Sequence, residues 1–98
     1  MGIEERSTRP LRIGEWRVDP AVDEISRAGT TVKLEPRAMR VLCVLAERAG
    51  EVCSADLLLD RAWPGVVVAQ GSVYQVVATL RRALADHGET PRYIATVP

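Results

Sequence analysis

Between Ser72 and Leu84 the chain carries two kinds of side chain at helical spacing. Val73, Val77, Leu80 and Leu84 recur on one face, the pattern of a helix lying on a core. Tyr74, Gln75, Ala78, Thr79 and Arg82 fall on the opposite face. A phenol, an amide, a hydroxyl and a guanidinium on one open face can hydrogen-bond the base edges and phosphates of a duplex. Gln75 has two readings. Its amide can meet an adenine edge, or it can close a capping box with Ser72, which stands three positions earlier as a candidate N-cap.

Other chemistries find no support in these residues. The chain has one histidine, His87, which reads as a surface turn residue, so no nucleophile, base and orienting group can be assembled around it. Cys43 and Cys53 are the only cysteines and form no CxxC pair, so a zinc site is not expected and both read as reduced, buried thiols. There is no Gly-rich phosphate loop and no paired-carboxylate site. We expect neither an enzyme nor a bound cofactor or metal.

The 98 residues suit one domain with a modest core, 47% apolar and 27% charged, as is ordinary for a globular chain. Apolar runs extend only a few residues, well short of a membrane span, and the polar N-terminus lacks the pattern of a signal peptide. A cytoplasmic location is expected, either for the chain itself or for the cytoplasmic part of a longer protein. Thirteen basic side chains balance thirteen acidic ones. Strong non-specific attraction to nucleic acid is therefore not expected, whereas a local reader remains possible because placement outweighs the sum.

Several elements must hold the Ser72–Leu84 face in place. Residues 1–10 read as a flexible leader and 11–98 as the domain. Leu11 to Val18 reads as one strand ending at Asp19-Pro20, and Glu24 to Arg27 and Thr31 to Leu34 flank a hairpin turn at Ala28-Gly29. Pro36 opens a first helix with Ala38, Val41, Leu42, Leu45, Ala46 and Ala49 as its apolar stripe, and Gly50 stands at its left-handed cap. Ser54 is an N-cap for a second helix, about 55–62, with Leu57 and Leu58 inward, and Trp63-Pro64-Gly65 ends it. A loop from Val66 to Gly71 precedes the third helix, about 72–85. A turn at Asp86-His87-Gly88 and a β-like run from Tyr93 to Pro98 follow. The order is β-β-β-α-α-α-β, an α+β domain.

The residues Leu34-Glu35-Pro36-Arg37, Ala49-Gly50-Glu51-Val52-Cys53-Ser54, Leu57-Leu58 with Trp63, Leu80-Arg81-Arg82-Ala83-Leu84 and Tyr93-Ile94-Ala95-Thr96-Val97-Pro98 occur in an order and spacing that point to a known family. Over residues 11–98 the chain resembles the OmpR/PhoB-type winged helix-turn-helix domain of bacterial transcription regulators. Because the motif starts near Met1, the arrangement looks like that of CadC/ToxR-like one-component regulators, in which a sensor part, sometimes behind a membrane anchor, follows.

The resemblance implies an N-terminal four-stranded antiparallel sheet, a three-helix bundle and a C-terminal hairpin wing. It also implies sequence-specific binding of double-stranded DNA, with the third helix in the major groove and the wing at the minor groove. By position, Tyr74, Gln75, Ala78 and Thr79 would read bases. Trp63, Arg81, Arg82 and Thr96 would contact the DNA backbone. Val66, Val67 and Val68 lie in the loop that can meet RNA polymerase or a second protomer, and weak dimerisation on DNA is expected.

The sequence departs from the family pattern in two places. The family pattern continues past Thr96-Val97-Pro98 into a second wing strand, whereas the sequence stops at Pro98, so the wing reads as either cut short or absent. Ala78 and Thr79 stand where many relatives carry Arg or another long polar side chain, which shifts expected specificity toward Tyr74 and Gln75.

Each of these residues also has a plainer reading. Arg81 and Arg82 can be solvated charges at a helix C-terminus, Trp63 a core plug with its N–H at the rim, and Thr96 an ordinary strand residue. Val66–Val68 can fold back on the core. The rival function is a winged-helix module that binds protein rather than DNA, which a neutral or acidic third-helix face would favour.

Overall fold

The computed structural model describes residues 9–84 together with Tyr93 and Ile94. Four strands come first: β1 (Leu11–Ile13), β2 (Trp16–Asp19), β3 (Glu24–Arg27) and β4 (Thr30–Lys33). Three helices follow: α1 (Pro36–Glu47), α2 (Ala55–Ala62) and α3 (Gln70–Ala83). The strands form an antiparallel meander in chain order.

The single strand expected over Leu11 to Val18 is two. Its ends lie side by side, with Leu11 opposite Val18 and Ile13 opposite Trp16. The chain reverses at Gly14, whose φ of +58° is a left-handed conformation that glycine accepts without penalty. A Cβ there would also come within 2.5 Å of the Tyr93 ring, so a side chain would have to displace that ring as well as adopt the left-handed turn. The alternation in β2 does the rest. Trp16 and Val18 are buried while Arg17 faces solvent, and Val18 pairs with the equally buried Ile25 of β3.

Pro36 begins α1 as expected, and Ala38, Met39, Val41, Leu42 and Val44 are its buried residues. The helix ends at Glu47, so Ala49 is exposed and outside the stripe assigned to it. Arg48 and Ala49 donate back to the Leu45 and Ala46 carbonyls in tightened i→i+3 bonds. Gly50 then takes the left-handed conformation with φ +85°.

Ser54 caps α2, its Oγ accepting from the Leu57 N–H at 3.1 Å. Burial in α2 falls on Leu58 and Ala62, with Leu59 packed beside them. Leu57, expected inward, is half-buried and lies off the core.

The third helix starts two residues earlier than its sequence signals indicate. Ala69 is the N-cap and Ser72 lies inside the first turn, its N–H donating to the Ala69 carbonyl at 3.0 Å. Ser72 therefore makes no capping box with Gln75. At this start Gln70 Nε2 donates to Asp56 Oδ1 at 3.4 Å, an exposed contact between the head of α3 and α2. At the other end the helix stops at Leu84, whose N–H returns to the Leu80 carbonyl.

Val73, Leu80 and Leu84 are buried and Val77 packs against the same core, so the helix phase read from the sequence holds. Ile94 is buried with them and Tyr93 packs alongside. Of the expected strand, Tyr93 and Ile94 are described and lie in no strand, while its remainder with Thr96, the rest of the wing, and His87 lie outside the described residues.

Leu80 is fully buried at the centre of this packing. Leu80→Ala should lower stability by about 2–5 kcal/mol, because it removes apolar contacts and leaves a cavity the surroundings fill only partly. Urea unfolding followed by circular dichroism would measure this, and an unchanged midpoint would contradict the packing of α3.

Candidate nucleic-acid interface

The open face of α3 carries Tyr74, Gln75, Ala78, Thr79 and Arg82, all exposed. The structure thus gathers on one surface the four residues expected to read bases and one of those expected on phosphate. Thr79 Oγ1 donates to the Gln75 carbonyl at 3.0 Å, and Arg82 Nη2 donates to Thr79 Oγ1 at 3.4 Å. Gln75 is free of the box that would have engaged its side chain. The helix contains no acidic residue and ends on Arg81 and Arg82. Its open face is polar and cationic although the chain as a whole is neutral.

Arg81 differs from its neighbour. It is half-buried, and its Nε is buried without a hydrogen-bond partner. Such a group carries a desolvation cost that an approaching anion can offset through the rest of the guanidinium.

Trp63 is buried at 4% exposure and belongs to the core. Arg37 fixes this tryptophan. Its Nε donates to the Ala62 carbonyl at 3.1 Å, closing the end of α2, and its guanidinium lies 5.3 Å from the Trp63 ring centre.

The loop between α2 and α3 divides. Val66 and Val67 are exposed, Val67 completely, while Val68 packs on the core.

Two positioning residues carry no role in the sequence reading. Trp16 donates its indole N–H to the Leu84 carbonyl at 3.0 Å and so binds the sheet to the end of α3. Its signal was alternation with Val18, which marks it as buried and says nothing of its partner. Arg37 stands in a quoted motif, but a basic residue in a first helical turn reads as exposed charge.

A groove of about 650 Å³ runs beside this face, walled mainly by apolar side chains such as Leu42, Leu45, Leu58, Val73 and Val77. Its titratable members are Arg12, Arg48, Glu51, Cys53, Tyr74 and Tyr93, which do not form a nucleophile–base pair of a recognised kind. Among the described residues no group of three or more His, Cys, Asp or Glu side chains is placed to hold a metal ion. No helix among them is long and apolar enough to cross a membrane.

A four-stranded sheet followed by three helices, the third buried on one side and open on the other, defines a winged-helix domain. A family model described as "Transcriptional regulatory protein, C terminal" matches residues 29–98, and the chain belongs to that family. It is 44% identical over 89 residues to the transcriptional activator CadC of Escherichia coli K12, covering 90% of this chain and 17% of CadC. It is 40% identical over 83 residues to the transcriptional regulatory protein CutR of Streptomyces coelicolor, covering 84% of this chain and 36% of CutR. The chain thus spans well under half the length of these relatives.

Among solved structures, the DNA-binding domain of E. coli CadC superposes with a TM-score of 0.83 at 42% identity, covering 94% of this chain and 88% of that one. The DNA-binding domain of E. coli CpxR matches at a TM-score of 0.65 and 24% identity over 76% of this chain and 74% of that one, a likeness of fold.

Replacing Arg37 by Met keeps an apolar stem on Trp63 but removes the bond to the Ala62 carbonyl. A stability loss of about 1 kcal/mol is expected, near the net worth of one partly exposed hydrogen bond. Tryptophan fluorescence, to which Trp16 and Trp63 both contribute, should also become more quenchable by iodide. Unaltered quenching and melting would show that Arg37 does not hold this corner.

Proposed function

We propose that this chain is a sequence-specific double-stranded-DNA-binding domain of a transcription regulator, acting by docking α3 in the major groove. The observation that carries the reading is the α3 face. Tyr74, Gln75, Ala78, Thr79 and Arg82 are open together on a helix without a carboxylate, and Val73, Leu80 and Leu84 anchor its back. The likeness to the CadC DNA-binding domain supports it. A groove-docked helix of this kind selects bases with a few side chains while flanking groups bind phosphates and fix register.

In this reading Gln75 and Tyr74 meet base edges through their polar groups, and Ala78 and Thr79 meet them through their methyl groups. Arg81 and the indole N–H of Trp63 meet the backbone, as Thr96 does from the C-terminal segment. The exposed Val66 and Val67 offer a separate apolar contact for RNA polymerase or a second protomer. Such a protein works where its DNA is, in the cytoplasm, whether alone or as the cytoplasmic part of a longer regulator. It needs no cofactor, because docking is a binding event and not a reaction.

The rival, a module that binds protein through the same face, is disfavoured by the positive charge there. Selection from a random pool of duplexes tests the choice. Enrichment of one motif by the folded chain supports DNA reading, and retention of no motif refutes it. On the enriched duplex, Gln75→Ala should cost about 1–3 kcal/mol and relax base choice at one position. Unchanged discrimination would remove Gln75 from the reading set.

A further inference from the structure

We propose that Arg82 reads a base, its guanidinium held over Thr79 so that it meets a guanine edge. This rests on the DNA-binding reading above. It reassigns Arg82 from the phosphate contact that its position in the family pattern implies.

Gln75, Thr79 and Arg82 are spaced i, i+4 and i+7, one stripe along the exposed face. Long helical side chains lean toward the helix N-terminus. Arg82 does so, donating Nη2 to Thr79 Oγ1 at 3.4 Å. The guanidinium therefore lies back over the middle of the face rather than off its C-terminal flank.

Thr79 is equipped to hold it there. Its hydroxyl proton is already given to the Gln75 carbonyl at 3.0 Å, which leaves the oxygen as an acceptor for Arg82 and no proton to offer a base. Ala78 and Thr79 are short, so a docked helix would leave space between Gln75 and the groove floor that a guanidinium can fill. With one Nη2 hydrogen engaged by Thr79, the other and those of Nη1 still form a fork. Guanine presents two acceptors to such a fork in the major groove, O6 and N7. Thr79 becomes a positioning residue for Arg82.

The test uses the full 98-residue chain and the duplex enriched from a random pool. Wild type should fix a G·C pair at one position. Arg82→Ala should lose that preference and bind the enriched duplex about 10-fold more weakly. Its affinity should fall much less on a duplex carrying A·T at the same place. Replacing the preferred guanine by 7-deazaguanine should weaken wild type and leave Arg82→Ala unaffected. Thr79→Val, which keeps the shape and loses the acceptor, should relax the same position.

An equal loss by Arg82→Ala on every duplex, with the enriched motif intact, would overturn the inference and leave DNA binding standing. Failure of wild type to enrich any motif would overturn the DNA reading and this inference with it. Melting curves of the variants confirm that both remain folded.

Discussion

The Trp16 indole N–H donates to the Leu84 carbonyl at 3.0 Å, joining residues 68 positions apart. The last carbonyls of a helix have no partner within it, and a buried one left unpaired costs about 1–3 kcal/mol. Trp16 supplies that partner from the sheet and fixes where the end of α3 stands. Arg27 lies 4.4 Å from the ring centre of Trp16, adding a cation–π contact. α3 itself packs on α1 and α2, and the Trp16 bond ties its end to the sheet as well. The first turn of the sheet also carries Tyr93 on Gly14, so the chain beyond α3 returns to the sheet.

With both ends of α3 fixed, by Gln70 and Asp56 at its head and Trp16 at its tail, its two faces take separate duties. Val73, Leu80 and Leu84 give the cohesion, and nothing on the opposite face is needed for it. That freedom leaves the exposed side chains available for the base contacts proposed for them. Overall neutrality means that such a domain gains little from indiscriminate attraction to phosphate. Its affinity must rest on a few well-placed groups, and Arg37 holding Trp63 and Thr79 holding Arg82 are two cases of one side chain fixing another.

What the sequence made legible follows from range. The phase of α3, the start of α1 at Pro36, the Ser54 cap and the turn at Ala28-Gly29 are settled within a few residues, and periodicity or cap chemistry reports them directly. Gly14 broke the first strand, yet apolar residues on both sides of it read as one run. The residues alone therefore indicate three strands, where family resemblance implies the four observed. Ser72 and Gln75 satisfy a local capping rule, yet α3 begins at Gln70, where its first side chain reaches Asp56 of α2, a contact that no local pattern reports. The Trp16–Leu84 bond and the Arg37–Ala62 bond join distant segments, and no local pattern encodes them. At the site, the exposed face was visible in advance, but the Thr79–Arg82 contact that orders it was not.

The most direct test is an NMR titration of the isotope-labelled chain with its enriched duplex, following backbone and side-chain resonances. The account predicts the largest shifts at Tyr74, Gln75, Ala78, Thr79 and Arg82, with Val73, Leu80 and Leu84 little changed in their packing. Shifts concentrated at Val66 and Val67 or along the apolar groove, with the α3 face unmoved, would contradict it.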